Sequence, residues 1–239
     1  RRDGNFAVRL GLAAVRGIGT DAAKKVVAAR EADGMFTSME DLVRRTGLDA
    51  QQLEALAASG ALECLGLTRR EALCRAGTAA LDLPGFLPGT LPEVQPPLFP
   101  DPSTFETLAD DLWATGISTD DHPLAHLREA LAARGVLPSS ELRTAELGRR
   151  VEVAGVVTHR QRPSTASGIT FVNLEDEHGL INVICSQGVW MRYRRIARDS
   201  SAMIVRGMLE RSPEGVTNLL ADRFEPLRLR VKHTSRDFR

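Results

Sequence analysis

Seven prolines lie between residues 81 and 102, and they divide the chain into two parts. Each proline removes a backbone N–H donor and disfavours a helical conformation at the residue before it, so neither a helix nor a central strand can run through this stretch. The 239-residue chain is therefore expected to fold on both sides of an extended, proline-rich linker over residues 81–102.

The part before the prolines has helical signals. Asp49 with Gln52, and Thr68 with Glu71, each fit a capping box, in which two side chains satisfy the backbone N–H groups at the start of a helix. Apolar residues recur at the i, i+3, i+4 spacing of helices with one buried face. We predict an all-α domain over residues 1–80.

After the prolines, the spacing of the apolar residues is first helical and then alternates as in strands. Ser103 with Glu106 predicts another capped helix, and residues 103–147 form an acidic helical connector. From residue 148 the apolar residues alternate, which predicts three strands, a short helix and two more strands. That order is typical of a five-stranded OB-fold barrel, here over residues 148–227 with a tail at 228–239. The predicted fold class is multidomain α+β: a helical domain, a proline-rich linker with short helices, and a barrel.

The net charge of zero conceals a strong asymmetry. Residues 1–80 carry +2, residues 81–147 carry −8 and residues 148–239 carry +6. Basic ends around an acidic middle indicate a polyanionic partner for the ends, with the middle facing away from it. Three cysteines in no metal-binding spacing, and no long apolar run, exclude a disulfide scaffold and predict a cytoplasmic protein without a membrane span.

The first candidate site is a hairpin between two short helices. Glycines at 17 and 19 can adopt positive φ, and the helix that follows would present free N–H groups to a phosphate. The candidate DNA-binding residues are Arg16, Gly17, Ile18, Gly19, Thr20, Lys24 and Lys25. The alternative is a packed corner that binds nothing. Residues 46–49 are predicted to form a second, degenerate hairpin that supports the first. The segment at residues 12–27 resembles a helix-hairpin-helix element, so residues 1–80 are predicted to form a tandem helix-hairpin-helix domain.

The second candidate site is the loop between the first two barrel strands, residues 159–168. Arg160, Arg162 and Thr165 are its candidate DNA-binding residues, because OB-folds commonly contact single strands there. The alternative is a solvated loop. Aromatic residues are sparse in the barrel, so contacts with the backbone are expected to outweigh base stacking.

Carboxylates and nucleophiles indicate no catalytic site in this chain. Glu175, Asp176 and Glu177 could collect Mg²⁺, but their position before His178 and Gly179 favours a polar turn. The histidines have no metal-motif spacing, and no Ser/His/Asp or Cys/His arrangement stands out. We predict neither a catalytic residue nor a metal ligand.

Taken in order, the motifs resemble the C-terminal region of a C-family bacterial DNA polymerase, the family of the polymerase III alpha subunit. The residues that carry the resemblance are 7–19 in the hairpin segment, Asp121 to Leu124 before the barrel, and Phe171 to Glu177 in its second strand. Arg162 to Ala166 and the terminal Ser235 to Arg239 are closest to the error-prone, damage-inducible branch.

The resemblance implies that the palm and its catalytic carboxylates lie outside this chain. We therefore expect the parent protein to be a Mg²⁺-dependent DNA polymerase active in translesion synthesis, and this segment to bind primed DNA without polymerising and without a cofactor of its own. Gln95, Leu98 and Phe99 resemble the short peptide with which bacterial polymerases bind the sliding clamp, a partner less expected in the error-prone branch. Translesion accessory proteins are the other expected partners.

Two alternatives remain open at this point. The chain could be a protein-interaction module that recruits translesion factors and binds DNA weakly. It could also be an RNA-binding OB module like those of some aminoacyl-tRNA synthetases, although the upstream hairpin and the terminal motif argue against that.

Overall fold

The computed structural model describes residues 9–82, 102–164, 168–212 and 215–229, together with the backbone of residues 236–238. The chain forms two compact units, Arg1–Ser118 and Thr119–Arg239. The peptide that resembles a clamp-binding motif, with Gln95, Leu98 and Phe99, lies outside the described residues, and so does Thr165.

The first unit is helical. Its helices are α1 (Gly19–Asp33), α2 (Met39–Thr46), α3 (Ala50–Ala58), α4 (Arg69–Ala79) and α5 (Thr104–Ala114), with short 3-10 turns at Leu12–Ala14 and Glu63–Leu65. The predicted capping boxes are confirmed at the starts of α3, α4 and α5. The apolar stripes of α2 and α3 are buried in one core, in which Val43, Leu53 and Ala57 have no exposed surface.

Helix α5 belongs to this first unit although it follows the prolines. It packs against α3, and Asp111 on α5 forms an ion pair of 2.6 Å with Arg69 of α4. At the other end of the proline-rich stretch, the buried carboxylate of Asp82 pairs with Arg44 at 2.5 Å. The stretch predicted to be an acidic connector, residues 103–147, is thus divided between the two units.

The second unit is built around a sheet. Its strands are β1 (Val136–Leu137), β2 (Arg150–Gln161), β3 (Thr170–Asp176), β4 (Gly179–Cys185), β5 (Ala202–Arg211), β6 (Thr217–Pro226) and β7 (Arg236–Phe238). Its helices are α6 (Arg128–Ala133), α7 (Ser139–Leu142), α8 (Gln187–Arg192) and α9 (Arg194–Asp199), with a 3-10 turn at Ala125–Leu127.

Five of these strands close into a barrel in the order β2–β3–β4–β6–β5, and β5 pairs again with β2. The pairs are antiparallel except β4–β6, which is parallel. The predicted order of three strands, a helical segment and two strands is confirmed, with the helical segment split into α8 and α9. Two short strands that were not predicted, β1 and β7, add to β2 in parallel.

The barrel has an inner and an outer apolar cluster. Alternate residues of the five strands fill the interior, among them Val153, Val172 and Leu174, which have no exposed surface. On the outside of β2 and β5, Leu124, Leu131 and Val136 pack against Ala154 and Ile204. Leu124, part of the family-like segment 121–124, therefore anchors the chain to the outside of the barrel. In the described part of the chain, no helix is long and apolar enough to cross a membrane.

Candidate nucleic-acid interface

The hairpin of the first unit turns through two glycines with positive φ, 73° at Gly17 and 62° at Gly19. Between them, Ile18 is only 4% exposed and fixes the turn to the helical core. Helix α1 begins at Gly19, and no side chain caps it. Because the first N–H groups of a helix have no partner inside the helix, this turn presents backbone donors and the positive end of the helix dipole at the surface.

Cationic side chains surround the turn. Arg16, Lys24 and Lys25 are exposed, and so is Thr20. Asp21, in the first turn of α1, is an acidic residue at this surface and favours the start of the helix. The hairpin residues predicted from sequence are thus brought together at one surface, with Ile18 contributing its backbone. A phosphate oxygen is the kind of acceptor that such a turn can bind.

Three contacts that the sequence did not predict hold the hairpin in place. The Nε2 group of Gln52 donates a hydrogen bond to the carbonyl oxygen of Gly17. On the other side, the backbone N–H of Arg16 donates to the carbonyl oxygen of Ala114, at 2.7 Å, and the Arg16 guanidinium lies 5.0 Å from the ring centre of Trp113. Trp113 is 44% exposed. Because the chain has only two tryptophans, Trp113 could have been singled out from the sequence as a candidate surface residue.

The second predicted hairpin, residues 46–49, joins α2 to α3. Gly47 adopts a left-handed conformation, and Asp49 caps α3 in a capping box with Gln52. That same Gln52 bonds to Gly17, so the start of α3, directly after this turn, contacts the first hairpin.

In the barrel, the prediction that Arg160 belongs to an exposed loop is wrong. Arg160 lies inside β2 and is 6% exposed, and its guanidinium donates to the carbonyl oxygens of Ala197 and Ser200, at 2.7 and 2.5 Å. The positive charge of Arg160 therefore lies at the C-terminal end of α9, where the helix dipole favours a cation. Arg162, two residues later, is exposed and follows the end of the strand, as predicted.

The outer face of the barrel carries two parallel rows of side chains that sequence reasoning missed. Asn173, Asn182 and Asn218 are direct neighbours across β3, β4 and β6, and they form an amide row. Beside it, Phe171, Ile184 and Leu220 form an apolar row in the same way. All six are partly exposed. This outer face therefore presents one aromatic ring, aliphatic side chains and amide groups to solvent.

The acidic segment at the end of β3 leads into the polar turn that the sequence favoured. Asp176 accepts hydrogen bonds from the backbone N–H groups of His178 and Gly179, and from the N–H and hydroxyl groups of Ser139. Glu177 forms an ion pair with Arg128, whose Nη2 lies 2.9 Å from a carboxylate oxygen of Glu177. These carboxylates clamp residues 128–139 to the barrel. In the described ranges, no cluster of three His, Cys, Asp or Glu residues could hold a metal ion.

Each of the two units contains a segment that matches a known family model. Residues 2–72 match the family model of the helix-hairpin-helix motif, and residues 151–227 match that of the OB-fold nucleic acid binding domain. Among solved structures, asparaginyl-tRNA synthetase from Pyrococcus horikoshii, in complex with asparaginyl-adenylate, is 16% identical, covering 40% of this chain and 23% of that one. Its TM-score of 0.33 is too low for a comparison of folds.

Curated relatives match the chain over nearly its whole length. The error-prone DNA polymerase of Cutibacterium acnes is 53% identical over 242 residues, and that of Mycobacterium tuberculosis is 49% identical over 232 residues. These alignments cover 100% and 97% of this chain but 21% of each relative, so the chain spans about a fifth of their length. The chain therefore matches a C-terminal segment of the error-prone DNA polymerases, a branch of the C-family.

Proposed function

We propose that this chain is the part of an error-prone DNA polymerase that holds primed DNA, with the hairpin on the duplex backbone and the barrel on the single-stranded template. The observation that carries the proposal is the backbone at Gly17 and Gly19, where two left-handed glycines expose the start of α1 between Arg16 and Lys24. Such a turn binds phosphate without reading sequence, as a polymerase requires of its grip on DNA.

The barrel supports the second half of the proposal. The apolar row of Phe171, Ile184 and Leu220 offers surface on which bases can lie, and the amide row offers hydrogen bonds. Arg162, beside this face in sequence, would contact phosphates.

The remaining roles belong to the proposed parent protein. We propose that it is a DNA-directed DNA polymerase of translesion synthesis in the cytoplasm, and that it uses Mg²⁺ held by carboxylates outside this chain. Gln95, Leu98 and Phe99 are proposed to bind the sliding clamp, and the barrel with the tail at 228–239 is proposed to bind translesion accessory proteins. Deletion of residues 228–239, followed by a pulldown with such factors, tests the role of the tail.

A titration of the chain with fluorescently labelled primed DNA at two salt concentrations tests the DNA grip. We expect the Lys24→Ala, Lys25→Ala double variant to bind all sequences more weakly and to lower the slope of log K against log salt by about 2, since each lost phosphate contact removes about 0.9 from it. The matched control is Arg30→Ala with Arg75→Ala, which removes the same charge from α1 and α4 away from the hairpin. The absence of DNA binding at low salt, or equal losses in both variants, would contradict the proposal.

A further inference from the structure

The helical segment between β4 and β5 has two different faces. One face is apolar: Val189, Trp190, Tyr193, Ile196 and Ala197 pack against the interior of the barrel, and Ala197 has no exposed surface. The apolar face therefore fixes both α8 and α9 to the barrel, and it determines which side chains point outwards.

The other face is basic. Its exposed members are Arg192, Arg194, Arg195 and Arg198, which we call the α8–α9 arginines. Residues 187–199 contain these four arginines and one acidic residue, Asp199, so the segment carries a net charge of +3. Arg194 and Arg198 are separated by four residues and Arg195 and Arg198 by three, a spacing at which like charges on a helix repel each other.

Acidic side chains in the protein neutralise this charge only in part. Arg198 pairs with Asp199 at 2.7 Å, and the Arg192 guanidinium lies 5.5 Å from the ring centre of Tyr193. Within the described part of the chain, neither Arg194 nor Arg195 is close enough to a carboxylate to form an ion pair. The pKa of Asp199 is nevertheless held below its ordinary value by the hydrogen bond from Arg198 and, to a smaller extent, by the charge of Arg195. These exposed arginines therefore form a positively charged surface that can attract an anionic ligand.

This surface adjoins the loop between β2 and β3. At the start of the loop, the buried guanidinium of Arg160 binds the carbonyl oxygens of Ala197 and Ser200 and so joins β2 to the end of α9. At its end, Gly168 lies against Gln187, the first residue of α8: a Cβ atom on Gly168 would be 3.0 Å from the Gln187 side-chain oxygen. The loop thus leaves and re-enters the sheet beside the two helices, and exposed Arg162 lies two residues beyond Arg160.

We propose that the α8–α9 arginines bind the phosphate backbone of a nucleic-acid strand and extend the contact made by Arg162 along the helical end of the barrel. This inference rests on the proposed function, since it assumes that the barrel binds a strand. Arginine suits the role because its planar guanidinium can bind a phosphate with two parallel hydrogen bonds. Arg160 is a positioning residue, which holds α9 beside the loop.

The test uses the full chain and a fluorescently labelled single-stranded oligonucleotide. Arg194→Gln with Arg195→Gln is expected to weaken binding about tenfold and to lower the salt slope by about 1.4, since a single strand contributes about 0.7 for each phosphate contact. The matched control, Arg143→Gln with Arg149→Gln, removes the same charge from exposed residues near the far end of β5, which is about 30 Å long. We expect the control to change affinity less than twofold.

Two further measurements keep the outcome interpretable. Arg194→Lys with Arg195→Lys keeps the charge and should recover most of the affinity, and denaturant unfolding midpoints should agree among all variants. Equal losses in the test and control variants would overturn the inference, and so would displacement of the oligonucleotide by polyglutamate at equal charge concentration. An unchanged affinity of the Gln variant, beside intact binding of primed DNA, would overturn this inference alone. A wild-type chain that binds no DNA would overturn the proposed function with it.

Discussion

The side-chain amide of Gln52 donates a hydrogen bond of 3.1 Å to the carbonyl oxygen of Gly17. Gln52 also accepts a hydrogen bond from the backbone N–H of Asp49, so one side chain closes the capping box of α3 and fixes the hairpin. The shape of the proposed phosphate site therefore depends on a residue in the first turn of α3, the helix that follows the second, degenerate hairpin.

We expect Gln52→Ala to lower stability by about 1 kcal/mol, because it removes the hydrogen bonds of Gln52 to the Asp49 N–H and to the Gly17 carbonyl oxygen, and to weaken DNA binding as well. The matched control is Glu71→Ala, which breaks the equivalent capping box of α4 away from the hairpin. Urea unfolding and fluorescence anisotropy distinguish the two effects. If both variants bind DNA equally well, Gln52 has a structural role only.

Trp113 is expected to set the position of the Arg16 guanidinium, which lies over its ring. A cation–π contact at an exposed position contributes about 0.5–1 kcal/mol, so Trp113→Ala should weaken DNA binding roughly two- to fivefold. Trp113→Phe keeps a ring at this position and should retain most of the affinity. An anisotropy titration of both variants checks this, and equal affinities for Trp113→Ala and the wild type would remove Trp113 from the interface.

Because Gly17 has a left-handed conformation, any other residue at this position is expected to lower the stability of the fold. No atom lies within 4 Å of a Cβ built on Gly17, so the cost of Gly17→Ala comes from the backbone alone, at about 1–2 kcal/mol. Gly77, inside α4, also has open space around it, and there alanine should stabilise by roughly 0.5–1 kcal/mol because it favours a helix. Opposite signs in urea unfolding are the expected result. A loss of stability in both variants would contradict this account of the turn.

The ion pair between Arg128 and Glu177 predicts a dependence of stability on pH. Burial alone would raise the pKa of Glu177, but the hydrogen bond and the charge of Arg128 hold this pKa below its ordinary value of 4.5. Because the pKa is lower in the folded state than in the unfolded state, ionised Glu177 adds stability above about pH 4.5, and this contribution disappears as the pH falls through the lowered pKa.

We therefore expect Arg128→Gln to cost about 2 kcal/mol at pH 7 and less at pH 3. Urea unfolding at the two pH values measures the difference, with Glu177→Gln as the partner variant that should reduce the same pH dependence. An equal cost of Arg128→Gln at both pH values would show that the ion pair does not account for the stability of this contact.

Local signals in the sequence were sufficient for most of the fold. The capping boxes at Asp49, Thr68 and Ser103 depend on residues three positions apart, and the strand order follows from alternation within short segments. Both kinds of pattern are visible without knowledge of distant contacts, and both were confirmed.

Contacts between distant residues explain what the sequence did not show. Helix α5 packs with the first unit through the ion pair between Asp111 and Arg69 and the hydrogen bond from the Arg16 N–H to the Ala114 carbonyl oxygen. In each pair, the two residues lie on opposite sides of the proline-rich stretch. Arg160 was misplaced because arginine is usually exposed, and its burial requires the particular carbonyl groups that end α9. The amide and apolar rows appear only when the registers of β3, β4 and β6 are known.

The anchoring of Asp82 to Arg44 and of α5 to α3 and α4 has a consequence for the proline-rich stretch between them. Both ends of that stretch lie in the same folded unit, so it does not join one unit to the other. Severing the polypeptide there would leave two fragments that still share the interface of α5 with the helical core. We expect such fragments to stay associated only as long as α5 keeps its contacts with α3 and α4.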